Sequence, residues 1–293
     1  MEKINFIEYN ESLNDDYAKL QLERFVDRID SQNLNKLMTD LMLKYSELSK
    51  SFEEKNQLLL ENRVILERYN TQLEELVNEK VNEISESQMS TIFALVKLAE
   101  SRDDETGAHV ERTAELCKLM ALYLKEDPKY SNIINNEYID NIYKASPLHD
   151  IGKVGIPDNI LLKKGRLTKD EFQVMKSHVE IGYETLKEVH SKYEVNSFLK
   201  MGMDITRNHH EKWDGTGYPR GIKGEDIPLS GRIMAIVDVY DALRSKRVYK
   251  EAYSHAKSMK LIKQNRGKHF DPKLVDVFIQ HHTEFRKRHD FFK

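Results

Sequence analysis

Glycine and proline, the two residues that interrupt helices, are missing from the first 106 positions. All 12 glycines lie at Gly107 or later and all 6 prolines at Pro128 or later. A stretch of that length without either residue can run as helix, whereas the turn-rich remainder must fold back on itself. The 293 residues therefore divide into two unlike parts, an uninterrupted N-terminal third and a globular remainder.

From Leu34 onward the apolar residues recur every seven. One series reads Met38, Tyr45, Phe52, Leu59, Leu66, Leu73; the other reads Leu34, Leu41, Leu48, Lys55, Asn62, Tyr69, Leu76. These are the a and d positions of a coiled coil. A stripe so narrow cannot build a globule alone, so the helix is expected to pair with a second copy as a parallel homodimer. Lys55 and Asn62 break the seam in successive heptads, which either fixes register or marks a loosened stretch. Past Leu76 the pattern steps to Val77, Val81 and Ile84, a stutter that locally unwinds a supercoil. Residues 1–33 are less periodic, with Leu20, Leu22, Phe25 and Val26 suggesting a short helix. The expected fold is all-α: a short helical segment over 1–33, a coiled-coil helix over 34–90 and a helical domain over 91–293. The long helix is expected to run straight into the first ligand helix, as a lever on the site.

Charge and composition close off several functions. The 46 Lys+Arg against 49 Asp+Glu argue against a partner made of polymeric nucleic acid. No apolar run approaches the roughly 18 residues of a membrane span, and the opening Met-Glu-Lys-Ile-Asn has no leader pattern. The single cysteine, Cys117, excludes an internal disulfide, suits a reducing cytoplasm and reads as a packed core thiol.

The chemistry lies in histidines beside carboxylates. Glu105 and His109 are four apart and share a face if helical. His149-Asp150 offers an imidazole and a carboxylate from one short piece of backbone; a carboxylate can bridge two ions, while the same pair can equally form a plain structural hydrogen bond. Thr168 and Glu171 read as a capping box, opening a helix whose inner face is traced by Phe172, Met175, Val179, Gly182 and Leu186, with His178 beside that stripe. His209 and His210 are adjacent, so on a helix their rings point about 100° apart and would reach different ions. Asp238 has two apolar residues on each side, where a carboxylate needs a cation or several donors. Imidazole with carboxylate suits Fe, Mn, Zn or Ni more than Ca or Mg. More than four such ligands suggests more than one ion, a known device for phosphoester hydrolysis.

Taken together, His149-Asp150-Ile-Gly-Lys153, the His209-His210 pair, Trp213-Asp-Gly-Thr-Gly217-Tyr218-Pro219, Asp238-Val-Tyr-Asp241-Ala-Leu and the tail Gly267-Lys-His-Phe-Asp271-Pro272 closely resemble the HD-GYP family of metal phosphohydrolases. The resemblance spans roughly residues 91 to 285 and implies an HD-type helical bundle. It also implies hydrolysis of cyclic di-GMP to pGpG, and in some members GMP, with two or three divalent transition-metal ions, iron or manganese. The implied metal ligands are His109, His149, Asp150, His178, His209, His210 and Asp238, with Asp150 bridging two ions and Glu105 available for a third. Lys153 is implied as a catalytic contact to the scissile phosphate. Tyr218 and Pro219 are implied at the substrate cleft, Arg247 and Lys250 on phosphate oxygens, and Asp241 among the substrate-side residues, orienting a ligand or a basic residue. Arg244, Lys246 and Val248 depart from the family pattern, and the first two are expected to add positive charge near the phosphate. The competing readings are a non-hydrolysing cyclic di-GMP receptor signalling through its coiled coil, and an HD phosphohydrolase acting on another nucleotide such as 3′,3′-cyclic GMP-AMP.

Overall fold

The computed structural model describes residues 17–24, 31–101, 108–192, 197–246 and 251–292. The described residues form helices and no strand, apart from an isolated bridge between Arg266 and Phe270. The chain forms two compact units, Met1–Asn82 and Glu83–Lys293.

In the first unit, residues 17–24 are helical, taking in Leu20 and Leu22; Phe25 and Val26 lie outside the described residues. Helix α1 covers Ser31–Glu100, 70 residues, of which those from Glu83 onward belong to the second unit. Its surface is held by local pairs such as Arg63 to Glu67, 2.9 Å apart at i,i+4 spacing. Both apolar series of the seam lie exposed along it; Leu48 is 70% and Phe52 63% accessible.

In the second unit, helices α2 (Ala108–Lys125), α3 (Asn136–Ala145), α8 (Leu229–Arg244), α10 (Pro272–Gln280) and α11 (His282–Phe291) enclose the main core. Leu116, Met120, Ile142, Val237 and Phe278 are fully or nearly fully buried there, and Cys117 packs among them as a core thiol. A smaller cluster of Val96, Val110, Leu148, Leu186 and Leu199 ties the end of α1 to helices α6 (His178–Lys192) and α7 (Ser197–Asn208). Asp271 caps α10 by accepting from the Lys273 amide, with Pro272 in the first turn.

Between α3 and the short α4 (Asp158–Leu161), Ser146–Gly155 winds as a 3₁₀ helix, unusually long for this tight form. Gly152 lies so close to α6 that an added Cβ would sit 1.9 Å from the His178 carbonyl oxygen. Only a glycine lets these two backbones meet.

One expected continuity is broken. The helix expected from Thr168 through Leu186 is two helices, α5 (Lys169–Lys176) and α6, because Ser177 closes a tight turn, its amide donating to the Val174 carbonyl. Thr168 and Glu171 form the capping box as expected, but α5 buries none of its residues and Phe172 is exposed. Helix α1 ends at Glu100 with Ser101 in a turn, and α2 covers Ala108–Lys125; residues 102–107, where the long helix was expected to continue, lie outside the described residues. Helix α9 (His255–Gln264), capped by Ser254, completes the set.

Candidate metal centre

Five elements deliver the expected donors to one place. His109 comes from α2, His149 and Asp150 from the 3₁₀ turn, His178 from the start of α6, His209 and His210 from just past α7, and Asp238 from α8. They fall into two groups: Asp150, His178, His209 and His210, and His109, His149 and Asp238. Within each group one donor atom per residue lies within 4.8 Å of every other.

Asp150 joins the groups. Its Oδ1 is 3.1 Å from His178 Nε2 and 3.5 Å from His209 Nε2, while its Oδ2 is 3.4 Å from His149 Nε2. His149 Nε2 in turn lies 3.4 Å from His109 Nε2, which is 3.9 Å from Asp238. His209 and His210 were expected to reach different ions; both belong to the Asp150 group, their rings 4.0 Å apart. The helical separation of adjacent rings does not apply, because α7 stops at Asn208.

The chain fixes which ring nitrogen faces inward. His149 Nδ1 donates to the Ser146 carbonyl at 2.9 Å, and His178 Nδ1 to Met175 at 2.7 Å. His209 Nδ1 donates to Ile205 and Thr206, and His109 Nδ1 to Asp241 at 2.7 Å. Each of these rings therefore turns Nε2, with its lone pair, toward the others, the tautomer a metal ligand needs. Asp150 Oδ1, His178 Nε2 and His209 Nε2 are buried without a hydrogen-bond partner among the described residues. Buried polar atoms left in that condition are costly unless a cation meets them. The donor set thus fits divalent transition-metal ions, with imidazole nitrogen and carboxylate oxygen the ligands.

The electrostatics agree. Burial pushes His149 down to about 4, keeping it neutral. Burial and the adjacent His209 hold His210 well below the ordinary imidazole range. For Asp150 burial alone would raise the carboxyl, yet Lys153, His149 and the flanking His178 and His209 hold it well below its usual range. Lys153 Nζ is 2.9 Å from Asp150 Oδ2.

The groups open into a cleft of about 370 Å³, its wall including Asp150, Lys153, Met175, His178, Tyr218 and Asp238. Tyr218 stacks on His210 with ring centroids 4.7 Å apart. Its loop is seated by Gly217, where an added Cβ would lie 2.5 Å from Glu211 Cα, and by Trp213 and Asp214 amides donating to the His269 and Lys268 carbonyls. The tail motif around Gly267 therefore serves to brace the aromatic loop. Pro219 is exposed and not part of the cleft wall.

Three expectations change. Asp241 is 1% accessible and lies behind His109, so it does not belong with the substrate-side residues, while its contacts with His109 and Arg112 match the expected orienting of a ligand or a basic residue. It accepts from His109, from Arg112 Nε at 2.6 Å and from Arg112 Nη2 at 2.9 Å, with His289 Nε2 3.4 Å away. Burial alone would raise its carboxyl; Arg112, His109 and His289 hold it well below the usual range. Arg244 adds no charge at the cleft, because it is buried and paired with Asp290 at 2.5 Å. Lys246 is exposed and paired with Glu251. Glu105, Arg247, Val248 and Lys250 lie outside the described residues.

Arg112 and His289 were not singled out in the sequence. Arg112 was within reach, three residues past His109 on the same helical face. His289 gave no signal, since it reaches Asp241 only through tertiary packing.

Residues 94–274 match the HD domain family. The chain belongs to that family. It is 51% identical over 204 residues to a cyclic di-GMP phosphodiesterase of Vibrio cholerae serotype O1, covering 70% of this chain and 42% of that protein. It is 41% identical over 204 residues to the 3′3′-cGAMP-specific phosphodiesterase 2 of the same organism, covering 69% and 36%. It is 41% identical over 208 residues to the cyclic di-GMP phosphodiesterase response regulator RpfG of Xanthomonas campestris pv. campestris, covering 71% and 52%. The chain thus spans about half the length of these relatives or less. No described helix is long and apolar enough to cross a membrane.

Proposed function

We propose that this chain is a metal-dependent phosphodiesterase that opens a 3′–5′ phosphodiester of cyclic di-GMP, giving pGpG. The observation that carries the reading is Asp150, whose two oxygens face two separate imidazole groups. His178, His209 and His210 with Asp150 Oδ1 would hold one ion, and His109, His149 and Asp238 with Asp150 Oδ2 a second. Iron or manganese is the proposed metal, and Glu105 the proposed ligand of a third ion. Such ions would lend Lewis-acid charge to a phosphoryl oxygen and bring the pKa of a water toward neutrality.

The chain's own residues do the rest. The Lys153 ammonium at the cleft wall meets negative charge as it builds on the phosphate. The Tyr218 phenol is pushed above its ordinary range by burial and by Asp150 and Asp238, so it stays protonated and donates to substrate oxygen. Asp241 and Arg112 hold the His109 ring at its angle. Arg247 and Lys250 are proposed to grip phosphate oxygens.

The exposed seam of α1 supports a coiled-coil homodimer, since a row of uncovered Leu, Tyr and Phe marks an association surface. The buried Cys117, the only cysteine, fits a reducing cytoplasm.

The test is elemental analysis of anaerobically purified protein, paired with chromatography of products from cyclic di-GMP. Two or more iron or manganese ions per protomer with pGpG formed is expected. Full metal occupancy and tight binding without product would overturn the reading in favour of a receptor. The 41% identity to a 3′3′-cGAMP-specific relative supports one rival substrate. Turnover of 3′,3′-cyclic GMP-AMP at a kcat/KM above that of cyclic di-GMP would establish it.

A further inference from the structure

Phe172 is the residue whose position the mechanism leaves unexplained. Its spacing suits a core face, yet it is 45% exposed. It packs beside Tyr218, a residue of the cleft wall, and is not itself part of that wall or of the core. Its ring meets Tyr218 edge to face, with centroids 6.1 Å apart at 80°. Tyr218 already lies stacked on His210. Lys176, one turn further along α5, holds its Nζ 5.3 Å from the Phe172 centroid and 5.5 Å from that of Tyr218. No carboxylate is paired with Lys176 among the described residues. Met175, between them in sequence, lines the cleft. An aromatic pair topped by a cation is therefore continuous with the metal centre.

The cleft of about 370 Å³ is at the small end for a ligand site. A cyclic dinucleotide that seats its phosphodiester there must carry a base past the rim. Aromatic faces bind bases by stacking, whatever the base. A lysine adds selectivity, because guanine offers two adjacent acceptors, O6 and N7, where adenine pairs N7 with an N6 donor.

We propose that Phe172, Tyr218 and Lys176 form a base-binding subsite at the rim of the metal cleft, selective for guanine. The base stacks on Phe172 and Lys176 donates to its O6 and N7 edge. This inference rests on the cyclic dinucleotide reading, and nucleosides separate the two, since they need neither metal nor turnover.

The experiment titrates the full chain with guanosine, adenosine and cytidine, following binding by saturation-transfer NMR. Guanosine is expected to bind tightest. Phe172→Ala weakens it about tenfold, the loss of one base stack, while Phe172→Trp retains it. Lys176→Gln removes the preference for guanosine over adenosine, because an amide pairs with the N7 acceptor and N6 donor of adenine. With cyclic di-GMP, Phe172→Ala raises KM about tenfold and leaves kcat in place. Circular dichroism checks the fold of each variant, and Lys176→Gln decides the matter if Phe172→Ala does not fold. Equal guanosine affinity in the wild type and a folded Phe172→Ala, or equal affinity for all three nucleosides, overturns the subsite. Guanosine bound as described with no cleavage of cyclic dinucleotides overturns the phosphodiesterase reading and leaves the subsite standing.

Discussion

The two units of this chain leave opposite things undone. In the first, the apolar side chains are outside: Leu41, Leu48, Phe52, Leu59, Leu66 and Leu73 are all exposed. In the second, polar side chains are inside: His109, His149, Asp150, His178, His209 and Asp241 are all buried. Exposed apolar surface is relieved by another apolar surface, and buried donors by a cation. One region thus asks for a protein partner and the other for metal. Sequence periodicity reveals the first need, and residue chemistry the second.

The comparison breaks most visibly at Asp150. Asp150→Ala removes the carboxylate common to both imidazole groups, so turnover is expected to fall by about three orders of magnitude or more. Bound metal measured by elemental analysis falls with it. Retention of full metal content would mean that Asp150 is no link between the groups. Asp241→Asn acts one step back. It weakens the hold on His109 and leaves the buried Arg112 short of a carboxylate, so metal affinity is expected to drop roughly 10–100-fold, with a lower melting temperature. A competitive chelator titration measures the first and calorimetry the second.

In the first unit, Leu66→Lys combined with Leu73→Lys puts two charges into the seam. If the proposed homodimer forms through this seam, the change is expected to convert it to monomer in sedimentation equilibrium, while metal content stays as in the wild type. A pH series sharpens the contrast further. In metal-free protein, burial holds His149, His255 and His269 down to about 4, from an ordinary value of 6.5. Between those values the unfolded chain binds more protons, so stability falls as pH drops through that window. His210 is held down as well, so His178, raised by Asp150 against the pull of burial, opposes this as one group against four. Melting temperatures from pH 7 to pH 4 report the sign, and a rise on acidification would contradict it. The smallest effect is expected at Lys246→Ala, whose pair with Glu251 is fully solvated, leaving the melting temperature unchanged.

Much of this was legible from residues alone. Breakers and heptads gave the long helix, and the helices carrying the ligands followed from punctuation and apolar spacing. The donors were nameable as a set only through the resemblance to the HD-GYP family, because a histidine beside a carboxylate can equally form a structural hydrogen bond. What escaped was the place where two helices replace one. Ser177 is an ordinary helix residue by propensity, and only the packing of α6 on the 3₁₀ turn at Gly152 makes it a corner. That corner turned Phe172 outward. The placement of His209 and His210 in one donor group escaped for the same reason, since the end of α7 at Asn208 is a tertiary outcome. Arg244 was misplaced because a charge counted in sequence carries no direction, and here it points to Asp290.

The hydrogen bonds from His149, His178 and His209 to carbonyls of their own turns have a consequence for loading. A ring clamped by main chain three or four residues away is oriented as soon as its turn forms. The rotational freedom of these donors is therefore spent during folding, before any ion arrives. Uptake becomes an electrostatic event at a rigid receptacle, and one ion can be exchanged for another without remodelling the helices. Stripping the metal should then leave the helical signal in circular dichroism where it was, and re-adding it should restore the centre without a refolding lag.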